Sequence, residues 1–458
     1  MAKRAQLGGI MDAKEKTDEE RLRKANEPVR LSLKYHSFYA GKIELIPKCA
    51  IRSVDDFAIW YTPGVAEPCK AIERDPDLAY DYTNKWNTVA VVSDGTRVLG
   101  LGDIGPLAGL PVMEGKALLF KYLGGVDAVP VCLDTKDVNN IVNAVKWLGP
   151  SFGGINLEDI SQPKCFTILE RLRKEMDIPV WHDDQQGTAT IVTAGTINAV
   201  KLVGKKMNEV HIALIGAGAA NIAIARLLVA AGVDIRKMIM TDSKGILHSG
   251  RRELRDTYPE KWEIAIRSNW EGRAGDDAEA IKGADMLIAA SRPGPGVITK
   301  DMVRSMAKDP IVFANANPVP EIWPWEAKEA GAKIVATGRS DFPNQANNSL
   351  VFPAIFRGAL DVRARTITDE MCIAAATELA KTAEDHGMSE DYILPTMADW
   401  DAFPREATAL GMKAIELGLA RKKMSRDELF ERAQGAVQRT RTQLEMMMKA
   451  GIVKPVPP

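Results

Sequence analysis

Residues 211–231 read HIALIGAGAANIAIARLLVAA. His211–Ile215 is an aliphatic run with the length and composition of a strand. Gly216 and Gly218 follow at once, and Asn221–Ala231 continues as a helix. Strand, glycine turn and helix in that order point to a dinucleotide site, the alternative being glycines that merely pack a helix on a sheet. The glycines let the backbone turn tightly and approach a pyrophosphate, while the helix N-terminus offers free N–H groups and the positive end of its dipole. Asn221 stands where the G-x-G-x-x-G fingerprint has its third glycine. Gly216, Gly218, Ala219, Ala220 and Asn221 are therefore candidate cofactor contacts. Asp242 follows the next strand, Met238–Thr241, and lies 24 residues after Gly218, where an acid that bonds ribose is expected. Such an acid favours the free 2′-hydroxyl of NAD, and a preference for NAD is expected. Lys244, Arg251 and Arg252 are close enough in sequence to answer the 2′-phosphate of NADP instead.

The alternation extends outward from this unit. Upstream, Thr88–Val92, Val98–Leu101, Ala128–Leu133, Gly154–Leu157 and Pro179–Trp181 read as strands. Helices are expected at Pro111–Tyr122, stopped by Gly124-Gly125, and at Val138–Leu148, Cys165–Lys174 and Thr188–Val203. Downstream, strands are expected at Met286–Ala290, Ile311–Ala314 and Lys333–Ala336. Strands alternating with helices give an α/β chain with a parallel, doubly wound sheet. After Phe352 the pattern is helical, broken by a loop near Pro395–Pro404. Ser53 with Asp56 caps a helix through Ile59-Trp60-Tyr61 that Thr62-Pro63-Gly64 stops. The first 30 residues are a charged arm in which Thr17 and Glu20 form a capping box for a short helix.

Composition narrows the class. The 61 acids and 60 bases nearly cancel, so no strong field points to nucleic acid or an anionic membrane. The five cysteines are scattered, with no CxxC, and suggest neither a disulfide framework nor a zinc site. The opening MAKRAQLGGIMDAKEKTDEERLRK has no apolar signal core. The most apolar stretch, His211–Val233, contains Asn221 and Arg226 and reads as strand, turn and helix rather than a membrane span. A cytoplasmic chain acting on a small molecule is expected.

Two acidic pairs mark the chemistry. Glu158-Asp159 and Asp183-Asp184 each lie just past an expected strand, at the carboxyl ends where ligands of doubly wound sheets gather. Four acids brought together repel unless a cation neutralises them. An all-oxygen set selects a hard ion, Mg²⁺ or Mn²⁺, over zinc. Helix capping is the competing reading, since Gln185-Gln186-Gly187-Thr188 leads into a helix. Tyr61 and Lys116 carry no pattern of their own.

Taken together, WYTPGVAEP (60–68), SDGTRVLGLGDIG (93–105), VMEGKALLF (112–120), INLEDI (155–160), WHDDQQGTA (181–189), IGAGA (215–219), ANANPVPE (314–321) and GRSDFPNQANNSLVF (338–352) resemble the malic enzyme family, in its shorter prokaryotic branch. The resemblance spans roughly residues 45–420. It implies a charged arm (1–30), a substrate and metal domain of mainly α/β character (31–185), a Rossmann-type NAD(P)-binding domain (186–365) and a C-terminal helical segment (366–458). It implies Glu158, Asp159 and Asp184 as metal ligands, Lys116 as general base supported by Asp183, and Tyr61 as general acid. Arg97, Asn317 and Asn347 or Asn348 would meet substrate carboxylates, and Asn317 would also touch the cofactor. The implied reaction is oxidative decarboxylation of (S)-malate to pyruvate and CO₂, with NAD or NADP and Mg²⁺ or Mn²⁺, in a homodimer or higher homo-oligomer. Oxaloacetate decarboxylation is an expected side activity. A malolactic enzyme, which releases lactate without net redox, and an amino-acid dehydrogenase, which needs no metal cluster, are the rival readings.

Overall fold

The computed structural model describes residues 18–457. Two parallel sheets lie in succession along the chain. The first has four strands in the order β2-β1-β3-β4, with β1 at Thr88–Ser93, β2 at Asp127–Cys132, β3 at Gly154–Leu157 and β4 at Val180–His182. All three pairings are parallel. The second has six strands in the order β10-β9-β8-β5-β6-β7. Here β5 is Ile212–Ile215, β6 Met238–Asp242, β7 Gly245–Ile246, β8 Met286–Ala289, β9 Ile311–Ala314 and β10 Ile334–Thr337. Only β7 pairs antiparallel, at the edge against β6. Each sheet reverses its winding once, between β1 and β3 and between β5 and β8. Those switch points open crevices at the carboxyl ends of the strands.

Local chemistry explains the crossovers. Asp137 caps helix Val138–Leu148 by accepting from the Asn140 N–H at 2.8 Å, and the helix buries Ile141, Val142 and Val145. Helix Pro106–Gly124 starts on a proline that has no N–H to leave unpaired, and ends at Gly125, whose φ of 63° is the left-handed cap. Ser53 and Asp56 form the expected capping box, and helix Phe57–Trp60 stops at Tyr61.

Three expectations change. Val98–Leu101 is not a strand but a turn, with one isolated bridge from Val98 to Gly102. Leu99 and Gly102 both have positive φ there, which curls the backbone back on itself. The N-terminal helix runs from Asp18 to Tyr39, well past the expected arm, with Pro28 inside it. The Thr17 half of its capping box lies outside the described residues. Pro404 belongs to helix Ala402–Glu416, in the first turn where proline is tolerated, rather than to the preceding loop.

The long helices after Phe352 return to the rest of the molecule. Helix Phe352–Asp361 packs on helix Pro106–Gly124, and helix Asp369–Asp385 on helix Thr188–Leu202. Phe120 meets Phe352 and Phe356 with ring centroids 4.6 and 5.3 Å apart. Among the described residues, no helix is long and apolar enough to cross a membrane.

Candidate active site

The first sheet brings both acidic pairs to one crevice. Glu158 and Asp159 leave the end of β3, and Asp183 and Asp184 open a π-helical turn, Asp183–Gly187, between β4 and helix Thr188–Leu202. Oxygens of Glu158, Asp159 and Asp184 all lie within 4.8 Å of one another. Asp159 has φ 54°, a left-handed conformation, and its N–H donates to Asp184 Oδ2 at 2.9 Å. That strain turns Asp159 back onto the cluster.

The electrostatics are those of an anionic site short of positive charge. Burial, then the nearby Asp184, push Asp159 up to about 8. Burial also raises Glu158 and Asp183. Asp159 Oδ2 is buried with no hydrogen-bond partner among the described residues. Three oxygen donors, one of them orphaned, fit a hard dication. Burial draws His182, 3.7 Å from Asp184, below the ordinary imidazole value.

Lys116 enters from helix Pro106–Gly124. Its Nζ lies 2.5 Å from Asp183 Oδ2 and 2.9 Å from Glu158 Oε1, and only 8% of the side chain is exposed. Burial lowers its pKa, but the two carboxylates overcome that and hold it above the ordinary lysine value. Sequence reasoning had no way to see what else holds it. The Phe352 ring lies 4.2 Å beneath the ammonium, and Trp181 Nε1 donates to Asp183 Oδ1 at 2.9 Å. Asn156 Nδ2 steadies Glu158 at 2.9 Å. Lys164, also missed, pairs with the buried Asp94 beside the same crevice.

The remaining candidates divide. The Arg97 N–H donates to the Asp159 carbonyl at 3.0 Å, so its loop is docked on the acid cluster. A Cβ on Gly338 would fall 2.5 Å from Asn317 Nδ2, and Asn347 Nδ2 donates to the Gly338 carbonyl at 2.7 Å, so both asparagines gather at Gly338. Asn348 lies against the acidic turn, with its Cβ 3.1 Å from where a side chain on Gly187 would begin. Tyr61 is not brought in. It is 71% exposed, and no hydrogen bond among the described residues joins it to Lys116.

The second sheet supplies the cofactor turn. Gly216, with φ 96°, turns the chain out of β5, and no side chain caps helix Ala219–Ala230. Asn221, in place of the third glycine, donates to the Ile215 and Gly216 carbonyls at 2.9 and 2.7 Å and so clamps the turn. This helix packs on the Asp183–Gly187 turn of the acid cluster. Asp242 is where an acid was expected, but it is engaged by Arg251 and Lys261. Glu321, missed by sequence reasoning, ties the loops after β8 and β9 by accepting from the Ser291 and Ala316 N–H groups at 2.9 and 3.0 Å.

Residues 40–173 match the malic enzyme N-terminal domain, and residues 185–409 the malic enzyme NAD-binding domain. The chain belongs to the malic enzyme family. It is 51% identical over 401 residues to the bifunctional malic/malolactic enzyme of Bacillus subtilis, covering 88% of this chain and 96% of that one. It is 50% identical to the NAD-dependent malic enzyme of Geobacillus stearothermophilus, over 83% of this chain and 78% of that one. The crystal structure of the Entamoeba histolytica malic enzyme superposes with a TM-score of 0.95 at 46% identity, over 97% of this chain and 93% of that one. The family's reaction is oxidative decarboxylation of malate to pyruvate and CO₂, with a nicotinamide cofactor and a divalent metal.

Proposed function

We propose that this chain performs the family reaction with Lys116 as the proton carrier at the malate C2 hydroxyl and with Glu158, Asp159 and Asp184 as the metal ligands. One observation carries the reading. A buried lysine is suspended between Asp183 and Glu158 on the edge of a three-carboxylate cluster. The cation supplies Lewis acidity toward the substrate hydroxyl and neutralises the acids that hold Lys116 charged. Asp183, fixed by the Trp181 indole, keeps the ammonium aimed at the crevice and accepts its hydrogen bond in either stage of proton transfer. Arg97 (its loop docked on Asp159), Asn317, and Asn348 against the acidic turn are assigned to the malate carboxylates, while Asn347 braces Gly338. Gly216, Gly218, Ala219, Ala220 and Asn221 are assigned to the pyrophosphate, and Asn317 is assigned to the cofactor as well.

Tyr61 is the acid that returns a proton to C3 after CO₂ has left. Its exposure fits a site completed by assembly. Ile51, Val54, Phe57, Ile59, Trp60 and Val65 are exposed beside it, an apolar surface suited to a second copy of the chain. We assign the protein as a homo-oligomer, at least a dimer, of the cytoplasm, in keeping with five free cysteines. Sedimentation of a monomer at working concentration would contradict the assembly.

The metal assignment is tested by Asp184→Ala. Turnover is expected to fall steeply and the Mn²⁺ requirement to rise while the fold survives. Near-normal activity at low Mn²⁺ would overturn the assignment. The same assay separates pyruvate from lactate, and so separates malic from malolactic chemistry.

A further inference from the structure

Asp242 ends β6, beside β5 and its glycine turn, where an acid ordinarily bonds the adenine-side ribose. Here its acceptor sites are already filled. Oδ1 accepts from Arg251 Nη1 at 2.7 Å and from the Lys244 N–H at 2.9 Å. Oδ2 accepts from Arg251 Nη2 at 3.2 Å and from Lys261 Nζ at 3.3 Å. A carboxylate offers about four lone-pair sites, and these donors occupy all of them. The cluster is largely withdrawn from water, with the Asp242, Arg251 and Lys261 side chains 8, 10 and 13% exposed. Burial pushes Asp242 up, but Arg251, the Lys244 N–H and Lys261 together hold it below the usual carboxylate range. A ribose diol would have to break these bonds to reach the acid.

The charge balance points the other way from NAD. Lys261 bonds Asp242 and lies 4.7 Å from the Tyr258 ring centroid. Arg251 is shared between Asp242 and the half-exposed Glu253, 3.0 Å from its Nε. Lys244 stands exposed on the same turn. Three cations thus face two acids at the tip of β6. The negative charge that would repel a 2′-phosphate is cancelled, and a surplus positive charge remains.

We propose that this cluster reads the 2′-phosphate of the cofactor, so that the protein prefers NADP to NAD, with Lys244 and Lys261 as the phosphate partners. This reverses the preference expected from Asp242 in the sequence. It rests on the assignment of Gly216–Asn221 as the cofactor turn. Two adenine-half probes that differ only in the phosphate isolate it: 2′,5′-ADP and 5′-AMP, titrated calorimetrically into the full-length protein without substrate or metal. The expected result is binding of 2′,5′-ADP about tenfold tighter or more, an advantage that shrinks with added salt. Lys244→Ala, an exposed substitution, should lose part of the advantage, and Lys244→Ala with Lys261→Ala most of it, with 5′-AMP affinity kept. Equal or tighter binding of 5′-AMP overturns the proposal and leaves the cofactor turn standing. So does an advantage that survives both substitutions. Binding of neither probe refutes the cofactor turn itself, and the proposal with it.

Discussion

Lys116 and Tyr61 pose the same question from opposite sides. Lys116 is buried and held by two carboxylates and an aromatic face, whereas Tyr61 lies open on an apolar surface. The first is positioned by its own subunit, and the second would be completed by a partner in the proposed assembly. Tyr61→Phe removes only a phenolic hydroxyl. It is expected to keep pyruvate reduction, which skips enolate protonation, better than it keeps malate turnover, with losses of about 10² to 10⁴ in the latter. Equal loss in every partial reaction would make Tyr61 a shaping residue instead. Neither residue was legible from pattern. A lysine between Gly115 and Ala117, or a tyrosine before Thr62-Pro63, has no spacing that betrays chemistry, and only the resemblance of whole segments singled them out.

The turn Asp183–Gly187 concentrates the design at the level of an element. A π-helical turn at a strand end places Asp183 on Lys116 and Asp184 in the carboxylate cluster in consecutive positions. Gly187 is required by space rather than by its φ. A Cβ there would overlap Asp183 Oδ1, which Trp181 and Lys116 prevent from moving away. Gly187→Ala is therefore expected to cost about 1–3 kcal/mol of stability and to weaken Mn²⁺ affinity, read by thermal unfolding and metal titration. A variant with unchanged melting and affinity would show the turn to be compliant. Buried strands such as Gly154–Leu157 and Ile311–Ala314 were legible to the residue, because their strand length and their place between helical segments arbitrate an otherwise ambiguous short run. Val98–Leu101 was not, since the same residue types close a turn when glycines with positive φ surround them. The π-turn and the Asn221 clamp were also hidden, because both depend on contacts between segments.

For the whole molecule, folding brings uncompensated acids together, and a metal bound as proposed would relieve them. Asp159 rises from its ordinary 3.8 to about 8 in the metal-free protein through burial, then Asp184. A carboxyl raised on folding stabilises the native state fully below its unfolded pKa and loses that contribution as pH climbs through the folded one. The metal-free protein should therefore lose thermal stability between about pH 4 and pH 8. Saturating Mn²⁺ should restore it most at the upper end, by about 2.7 kcal/mol at a hundredfold excess over Kd. Melting that is independent of both pH and Mn²⁺ across this range would contradict the acid cluster as a metal centre. A parallel, doubly wound α/β arrangement could be anticipated from alternation and the glycine turn, and the order of N-terminal and NAD-binding domains from the resemblance alone, but the division of the strands into two sheets could not. The meeting of the two switch points could not, because it is made by helix Ala219–Ala230 packing on the Asp183–Gly187 turn across the chain. Lys116 as carrier of the hydroxyl proton is tested most directly by the partial reactions of Lys116→Ala. Malate oxidation and pyruvate reduction should both fall by about 10² to 10⁴, with Mn²⁺-dependent oxaloacetate decarboxylation, which moves no hydroxyl proton, retained far better. Equal loss of all three, or malate oxidation near the wild-type rate, would contradict it.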